Sequence, residues 1–166
     1  MTGAAIPMAV REEIVRPVLR DMRREDLPAV MEIERRSFAQ PWSRAFFEKE
    51  LATPFAHLVS AVEHADGSSL IVGYSCTWRV ADEVHLLNVA VHPERRGLGI
   101  GRVLVESVLD ESRAASSRLI SPEVRAGNVV ARRLYRRLGF VDVGVRRGYY
   151  APGQDANVME LRMDGR

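Results

Sequence analysis

One cysteine, Cys76, stands in the whole chain of 166 residues, so no internal disulfide framework is available. A single buried-type thiol also suits a reducing cytoplasm, the compartment expected here. Lys49 is the only lysine, and every other basic side chain apart from the four histidines is an arginine. Guanidinium groups grip phosphate bidentately, which an ammonium does not. The net charge is only +2, whereas a nucleic-acid binder normally carries a larger basic excess with interleaved aromatics, so no nucleic acid is expected. No apolar run approaches the roughly 20 residues that a membrane-spanning helix needs, so no membrane partner is expected. The opening "MTGAAIPMAVREEIV" has neither the basic lead nor the sustained apolar run of a secretory signal. His57, His64, His85 and His92 follow no metal-ligand spacing, so no metal is expected, and no serine or cysteine triad finds supporting residues.

What remains is globular: 46% hydrophobic, 28% charged and free of low-complexity tracts, enough for one domain with a real core. Residues 1–14 read as a disordered extension, or as sequence upstream of a start at Met8. "IVRPVLRDM" then reads as a strand with Pro17 near its start. Leu27, Val30, Ile33 and Phe38 recur at helical spacing, and Pro41 in "FAQPWS" ends that pattern. Ser43 can cap a second helix, "RAFFEKELAT", which Pro54 ends. "AHLVSAVEH", "LIVGYSCTWRV" and "EVHLLNVAVHP" predict a three-stranded meander, with Asp66-Gly67 and Ala81-Asp82 at its turns. A helix over about 101–115, a strand "RLISPEVR", a helix "NVVARRLYRRLG" and strands "FVDVGVRRGYY" and "ANVMELRM" complete the chain. The arginines at 132, 133, 136 and 137 read as a solvated face of that last helix, with Val130, Ala131, Leu134 and Leu138 as its apolar stripe. The fold class is α/β of the mixed α+β kind. About seven mostly antiparallel strands carry helices on both faces, in the order β-α-α-β-β-β-α-β-α-β-β.

The stretch "VHPERRGLGIGRVL" joins an apolar strand to a helix through alternating glycines. It is not a Walker loop, because no Gly-Lys-Ser/Thr follows, and it does not contain the Gly-x-Gly-x-x-Gly of a dinucleotide fold. Arg96-Gly97-Leu98-Gly99-Ile100-Gly101 fits instead an Arg/Gln-x-x-Gly-x-Gly/Ala turn. Alternating glycines let successive backbone N–H groups face one concavity, and the following helix adds its own free N–H groups and positive dipole end. Such a turn binds phosphate, or is only a tight connection.

With its context, the stretch resembles the acyl-CoA pyrophosphate motif of the GCN5-related N-acetyltransferase (GNAT) family. The resemblance spans roughly Arg16 to Met163, and residues 15–164 are expected to form one acyl-CoA N-acyltransferase domain. "QPWS", "NVAVHPERRGLGIGRVL", "EVRAGN", "LYRRLGF" and "RRGYY" are similar in combination to the branch that acetylates the N-terminal alanine of bacterial ribosomal proteins. The resemblance implies acetyl-CoA as donor, with its pantetheine arm along Val89, Ala90 and Val91 and a backbone N–H near Val91 on the thioester oxygen. It implies pyrophosphate on the amides of Arg96, Gly97, Leu98, Gly99, Ile100, Gly101 and Arg102, and cofactor contacts from Asn128 and Tyr135. The implied acceptor is the N-terminal peptide of a small-subunit ribosomal protein, lying between Trp42 and the loop bearing Tyr149 and Tyr150.

An N-terminal amine, with an unperturbed pKa near 8 against about 10.4 for lysine, needs only a modest base. The resemblance implies Glu123 for that role and Tyr135 as the acid that protonates the leaving sulfur. Read alone, Glu123 would be a strand-end carboxylate paired with Arg125, and Tyr135 a core residue. Read alone, too, Trp42, Tyr149 and Tyr150 could equally be packing aromatics. Two departures from the family pattern stand out. Gln154 replaces a frequent acidic residue, and Ser121-Pro122 precedes Glu123 where an apolar strand is usual. Pro122 either marks a place where the sheet opens or shifts Glu123. Lysine side chains, a small amine, or acyl-CoA binding without turnover are the alternative functions.

Overall fold

The computed structural model describes residues 16–163, so the extension expected over residues 1–14 lies outside the described residues. Strand β1 (Val18–Asp21) runs through a 3-10 turn at Arg24–Asp26 into helix α1 (Leu27–Ser37), followed by α2 (Arg44–Ala52). Strands β2 (Ala56–Ala65), β3 (Ser68–Val80) and β4 (Glu83–Val91) come next, then helix α3 (Ile100–Ala114) and strand β5 (Leu119–Arg125). Helix α4 (Val129–Arg137) and strands β6 (Val141–Ala151) and β7 (Gln154–Arg162) close the chain in the order read from the sequence. One seven-stranded sheet results, in the order β1-β2-β3-β4-β5-β7-β6. Only β4 and β5 pair in parallel.

Local chemistry explains the element ends. The Ser43 hydroxyl accepts the Phe46 N–H at 3.1 Å and caps α2, and the Asn128 carbonyl oxygen caps α4 through Ala131 N–H at 3.1 Å. Asp66 and Gly67 both take positive φ, 50° and 76°, as a two-residue hairpin turn between twisted strands requires. The apolar stripe of α4 is displaced from the expected one. Ala131, Leu134, Tyr135 and Leu138 face the core, whereas Val130 is 79% exposed, one helical step away from the stripe.

Helices α1 and α2 cover one face of the sheet, where Leu27, Ile33 and Phe47 pack on Leu58, Tyr74 and Cys76. Helix α3 covers the other, with Ile100 and Leu104 against Val59 and Ala61. Neighbouring residues of a strand point to opposite faces, so Leu58 and Val59 divide as they should. Cys76 is fully buried, and burial, followed by the charges of Glu50 and Glu34, pushes its thiol well above the usual range; it is inert core, as expected.

Two irregularities make the site. The first is a bulge at Leu87: Cys76 pairs with Asn88, but Thr77 pairs with Leu86. One extra residue reverses the alternation. Val84 and Leu86 therefore join the core under α3, while Ala90 joins the core under α1. The second is that the parallel ladder of β4 and β5 stops after Leu86 and Pro122. Beyond that point Leu87–Val91 on one side and Glu123–Arg125 on the other have no partner across the gap, and the sheet splays. Pro122 has no N–H to give. The β5–β7 ladder likewise skips Ser121 and Pro122 and resumes at Glu123 opposite Val158. The Ser121 hydroxyl donates to the Met159 carbonyl at 3.3 Å, partnering an acceptor within the skipped stretch of ladder. Of the two sequence readings of Pro122, the open sheet is the one found, with Glu123 back in register.

Candidate active site

At the end of β4 the chain turns through His92–Gly99 into α3. Gly97 and Gly99 take φ of 79° and 85°, and nothing lies within 4 Å of where their side chains would start. Both are exposed, so the left-handed backbone that only glycine adopts freely lines an open concavity. Gly99 occupies the N-cap of α3 without a side-chain cap, which leaves the amides of Ile100, Gly101 and Arg102 free of helix partners. An anion therefore meets a ring of N–H groups and the positive end of a 15-residue helix. The Arg96 side chain turns away, donating to the Val91 carbonyl at 3.1 Å and to the Ser37 hydroxyl at 3.0 Å. It braces the turn against α1, leaving only its amide for the concavity. Arg102 is paired with Glu106 at 2.7 Å along the exposed side of α3.

From this cradle the unpaired edge of β4 leads into a cavity of about 190 Å³ at the splay. Its wall brings together Trp42, Val89, Glu123, Asn128, Tyr135, Tyr149 and Tyr150, which lie far apart in sequence. Asn128 spends its carbonyl oxygen on the α4 cap, so its amide N–H groups remain for a ligand. The ring of Tyr135 is buried against Phe140, with centroids 5.4 Å apart. Its hydroxyl has no hydrogen-bond partner among the described residues. Burial, and then the charge of Tyr150, push this phenol far above its usual range. Tyr135 is thus a core residue and a cavity donor at once.

Glu123 pairs with Arg146 at 2.9 Å, not with Arg125 beside it in sequence. Its carboxylate also takes the Tyr149 hydroxyl, and that hydrogen bond, more than burial, pushes the Tyr149 phenol up to about 12. The stretch Arg146–Tyr150, read as a loop over the acceptor, belongs to β6. The β6–β7 register breaks between Arg146 and Ala151, and there Tyr149 and Tyr150 stand edge to face with centroids 5.0 Å apart. Trp42, its ring tilted 47° against Phe46 with centroids 4.4 Å apart, forms the facing wall.

Sequence reasoning missed a buried polar cluster, centred on Glu34, that supports one wall of this cavity. Glu34 is 1% exposed and accepts from Trp42 N–H at 2.9 Å, Asn88 Nδ2 at 3.0 Å and the Tyr74 hydroxyl. Burial raises its pKa; the three donors and the nearby Arg125 charge oppose that rise. The same burial, with the Glu34 charge, raises Tyr74 well above its ordinary value. Nothing in the helical spacing of α1 sets Glu34 apart from its neighbours, since two of its three partners lie 40 and 54 residues away. The sequence offers Arg125 only as a partner for Glu123. Its guanidinium carbon instead lies 4.4 Å from the Tyr150 ring centroid and 5.5 Å from that of Phe38.

A larger, shallower hollow of about 850 Å³ lies between the α2–β2 link and the end of α3. Its charges neutralise one another: His57 lies 2.9 Å from Asp21 and 3.1 Å from Glu111, and Arg79 is paired with Glu111. It holds none of the motif residues. Among the described residues no cluster of His, Cys, Asp or Glu could hold a metal, and no helix is long and apolar enough to cross a membrane.

Comparison with known proteins agrees with this arrangement. The profile of the Acetyltransferase (GNAT) family matches residues 27–140. The N-alpha-acetyltransferase RimI of Mycobacterium tuberculosis is 38% identical over 147 residues, covering 83% of this chain and 87% of its own. The [ribosomal protein bS18]-alanine N-acetyltransferase of Salmonella typhimurium is 35% identical over 139 residues, covering 82% and 90%. The crystal structure of the ribosomal-protein-S18-alanine N-acetyltransferase from Escherichia coli superposes with a TM-score of 0.77 at 32% identity, over 87% of this chain and 92% of that one. A glycine turn with free amides leading into a splayed sheet, a family profile over the same residues and relatives along most of the length make this chain a member of the GNAT family, an acetyl-CoA-dependent N-acetyltransferase.

Proposed function

We propose that the chain acetylates the N-terminal α-amine of a protein, and specifically the N-terminal alanine of a small-subunit ribosomal protein, in the cytoplasm. The observation that carries this reading is the single small cavity shared by Glu123, Tyr135 and the aromatic walls Trp42, Tyr149 and Tyr150. The cavity as a whole is only about 190 Å³, which favours a small first residue, and flat hydroxyl-tipped walls suit the start of a peptide. A small amine needs no such trough. The bS18-alanine acetyltransferases among the relatives support the same acceptor.

Acetyl-CoA supplies an activated acetyl thioester. The residues fit it: the amides of Arg96–Arg102 and the Asn128 amide would hold its phosphates and arm, and the open edge of Val89, Ala90 and Val91 would hold its carbonyl. Glu123 takes a proton from the acceptor's ammonium. Its pair with Arg146 is open on the arginine's side, which is 58% exposed, so the ammonium can displace the guanidinium. The neutral nitrogen then attacks the acetyl carbon directly, the C–S bond breaks, and Tyr135 gives its proton to the departing thiolate. The nitrogen loses two protons in all; one restores the phenol and the other leaves through Glu123 to solvent.

The test follows thiol release with two peptides, one with a free N-terminal alanine and no lysine, the other blocked at its N-terminus and carrying one lysine. Turnover of the first alone is expected. Turnover of the second alone would overturn the α-amine reading and leave the family membership untouched.

A further inference from the structure

We propose that Arg125 donates a hydrogen bond to the carbonyl oxygen of the acceptor's first residue, and that this bond tells a protein N-terminus from a lysine side chain; the inference rests on the N-terminal reading above. Three observations carry it. Arg125 and Glu123 are two residues apart on β5 and both line the cavity. On a strand such residues share a face about 6.6 Å apart. One amino-acid residue with a hydrogen bond at each end, amine to Glu123 and carbonyl to Arg125, spans that separation.

The guanidinium is fixed in place. Phe38 comes from the end of α1 and Tyr150 from β6, so Arg125 bridges the two walls of the trough. A guanidinium with rings over its faces keeps its N–H donors at its edges. Those donors are also uncommitted: among the described residues the Arg125 side chain makes no hydrogen bond or ion pair, its contacts being the two rings and the through-space charge of Glu34.

The chemistry of the two acceptor classes then differs at one atom. In an N-terminal residue the carbonyl sits on the carbon next to the one bearing the amine, so an amine at Glu123 carries an acceptor toward Arg125. A lysine side chain brings only methylenes to the same place. Arg125 would then lose water without gaining a partner, and a site built for a hydrogen bond rejects the analogue that lacks it.

The experiment uses an alanine-initiated peptide and its (E)-alkene isostere, in which the first carbonyl carbon and the following nitrogen are replaced by CH=CH. The free amine and the backbone geometry are kept. For the unaltered enzyme kcat/KM should be about 10- to 100-fold lower with the isostere, the range for a hydrogen bond to a charged group. In Arg125→Met the two peptides should converge to within about threefold, with the KM for acetyl-CoA unchanged. Arg125→Lys, which keeps charge but not the planar fork, should recover only part of the difference. An unaltered enzyme indifferent to the isostere would overturn the proposal whether or not the variants fold. So would an Arg125→Met enzyme that binds acetyl-CoA and keeps the full preference. If the unaltered enzyme acetylates neither peptide, the N-terminal reading itself falls and the proposal with it.

Discussion

In the proposed mechanism Glu123 and Tyr135 divide the proton traffic because their surroundings differ. Glu123 lies 20% exposed under a displaceable arginine, whereas Tyr135 lies in the core with only its hydroxyl side on the cavity. Glu123→Gln and Tyr135→Phe should each lower kcat by about 100-fold or more, the usual yield of one acid–base group, with little change in acetyl-CoA affinity. The direction of the Tyr135 shift adds a pH signature. A phenol raised above its ordinary value of about 10 stays protonated to higher pH, so kcat should show no falling alkaline limb below pH 10. A limb near pH 9 that vanishes in Tyr135→Phe would contradict that role. The pairing of Glu123 was not legible in the sequence. Arg125 is two letters away, but strand neighbours of equal parity project side by side, and the true partner, Arg146, arrives by way of β6.

At the scale of elements, the sequence was readable wherever chemistry is local. Ser43, Asp66-Gly67 and the Gly97–Gly99 turn each carry their conformation in their own residues. The Leu87 bulge and the Glu34 anchor do not, because each is defined by what lies on another strand. Gly99→Ala tests the turn: a methyl on a backbone with φ of 85° is strained by about 1–2 kcal/mol, and relief of that strain would reorient the amides proposed to hold the phosphates. Acetyl-CoA binding measured by calorimetry should weaken at least tenfold, while kcat at saturating donor changes little. Glu34→Ala tests the anchor, since it strips partners from Trp42 N–H, Asn88 and Tyr74. Each buried orphan costs about 1–3 kcal/mol, so a stability loss of about 3 kcal/mol or more is expected in urea. The peptide KM should rise as the wall bearing Trp42 loosens.

Across the whole molecule, Asp26 ties three elements together. Arg20 of β1 reaches it at 2.6 and 2.9 Å, Arg23 N–H at 2.9 Å and the Ser60 hydroxyl of β2 at 3.0 Å. Burial works against the carboxylate's charge, yet these donors outweigh it and hold its pKa below the usual range. A carboxylate depressed in the folded state stabilises fully above its unfolded value of about 3.9, and that stability is lost as pH falls through the lower folded value. Asp26→Asn should therefore lower the melting temperature near neutral pH and flatten its fall below about pH 4. An unchanged acid slope would mean that other carboxylates govern acid unfolding.

The fold class and element order were fully legible, because strand and helix periods and their turns recur along the chain. The depth of the opening in the sheet was not, since it depends on where two distant strands part. The ladder of β4 and β5 ends where Pro122 cannot extend it. The chain's own sequence thus keeps those strands from zipping further. Donor capture then has no opening step to wait for. Its association should be a single, concentration-proportional phase at an ordinary bimolecular rate, with slow steps confined to the release of products.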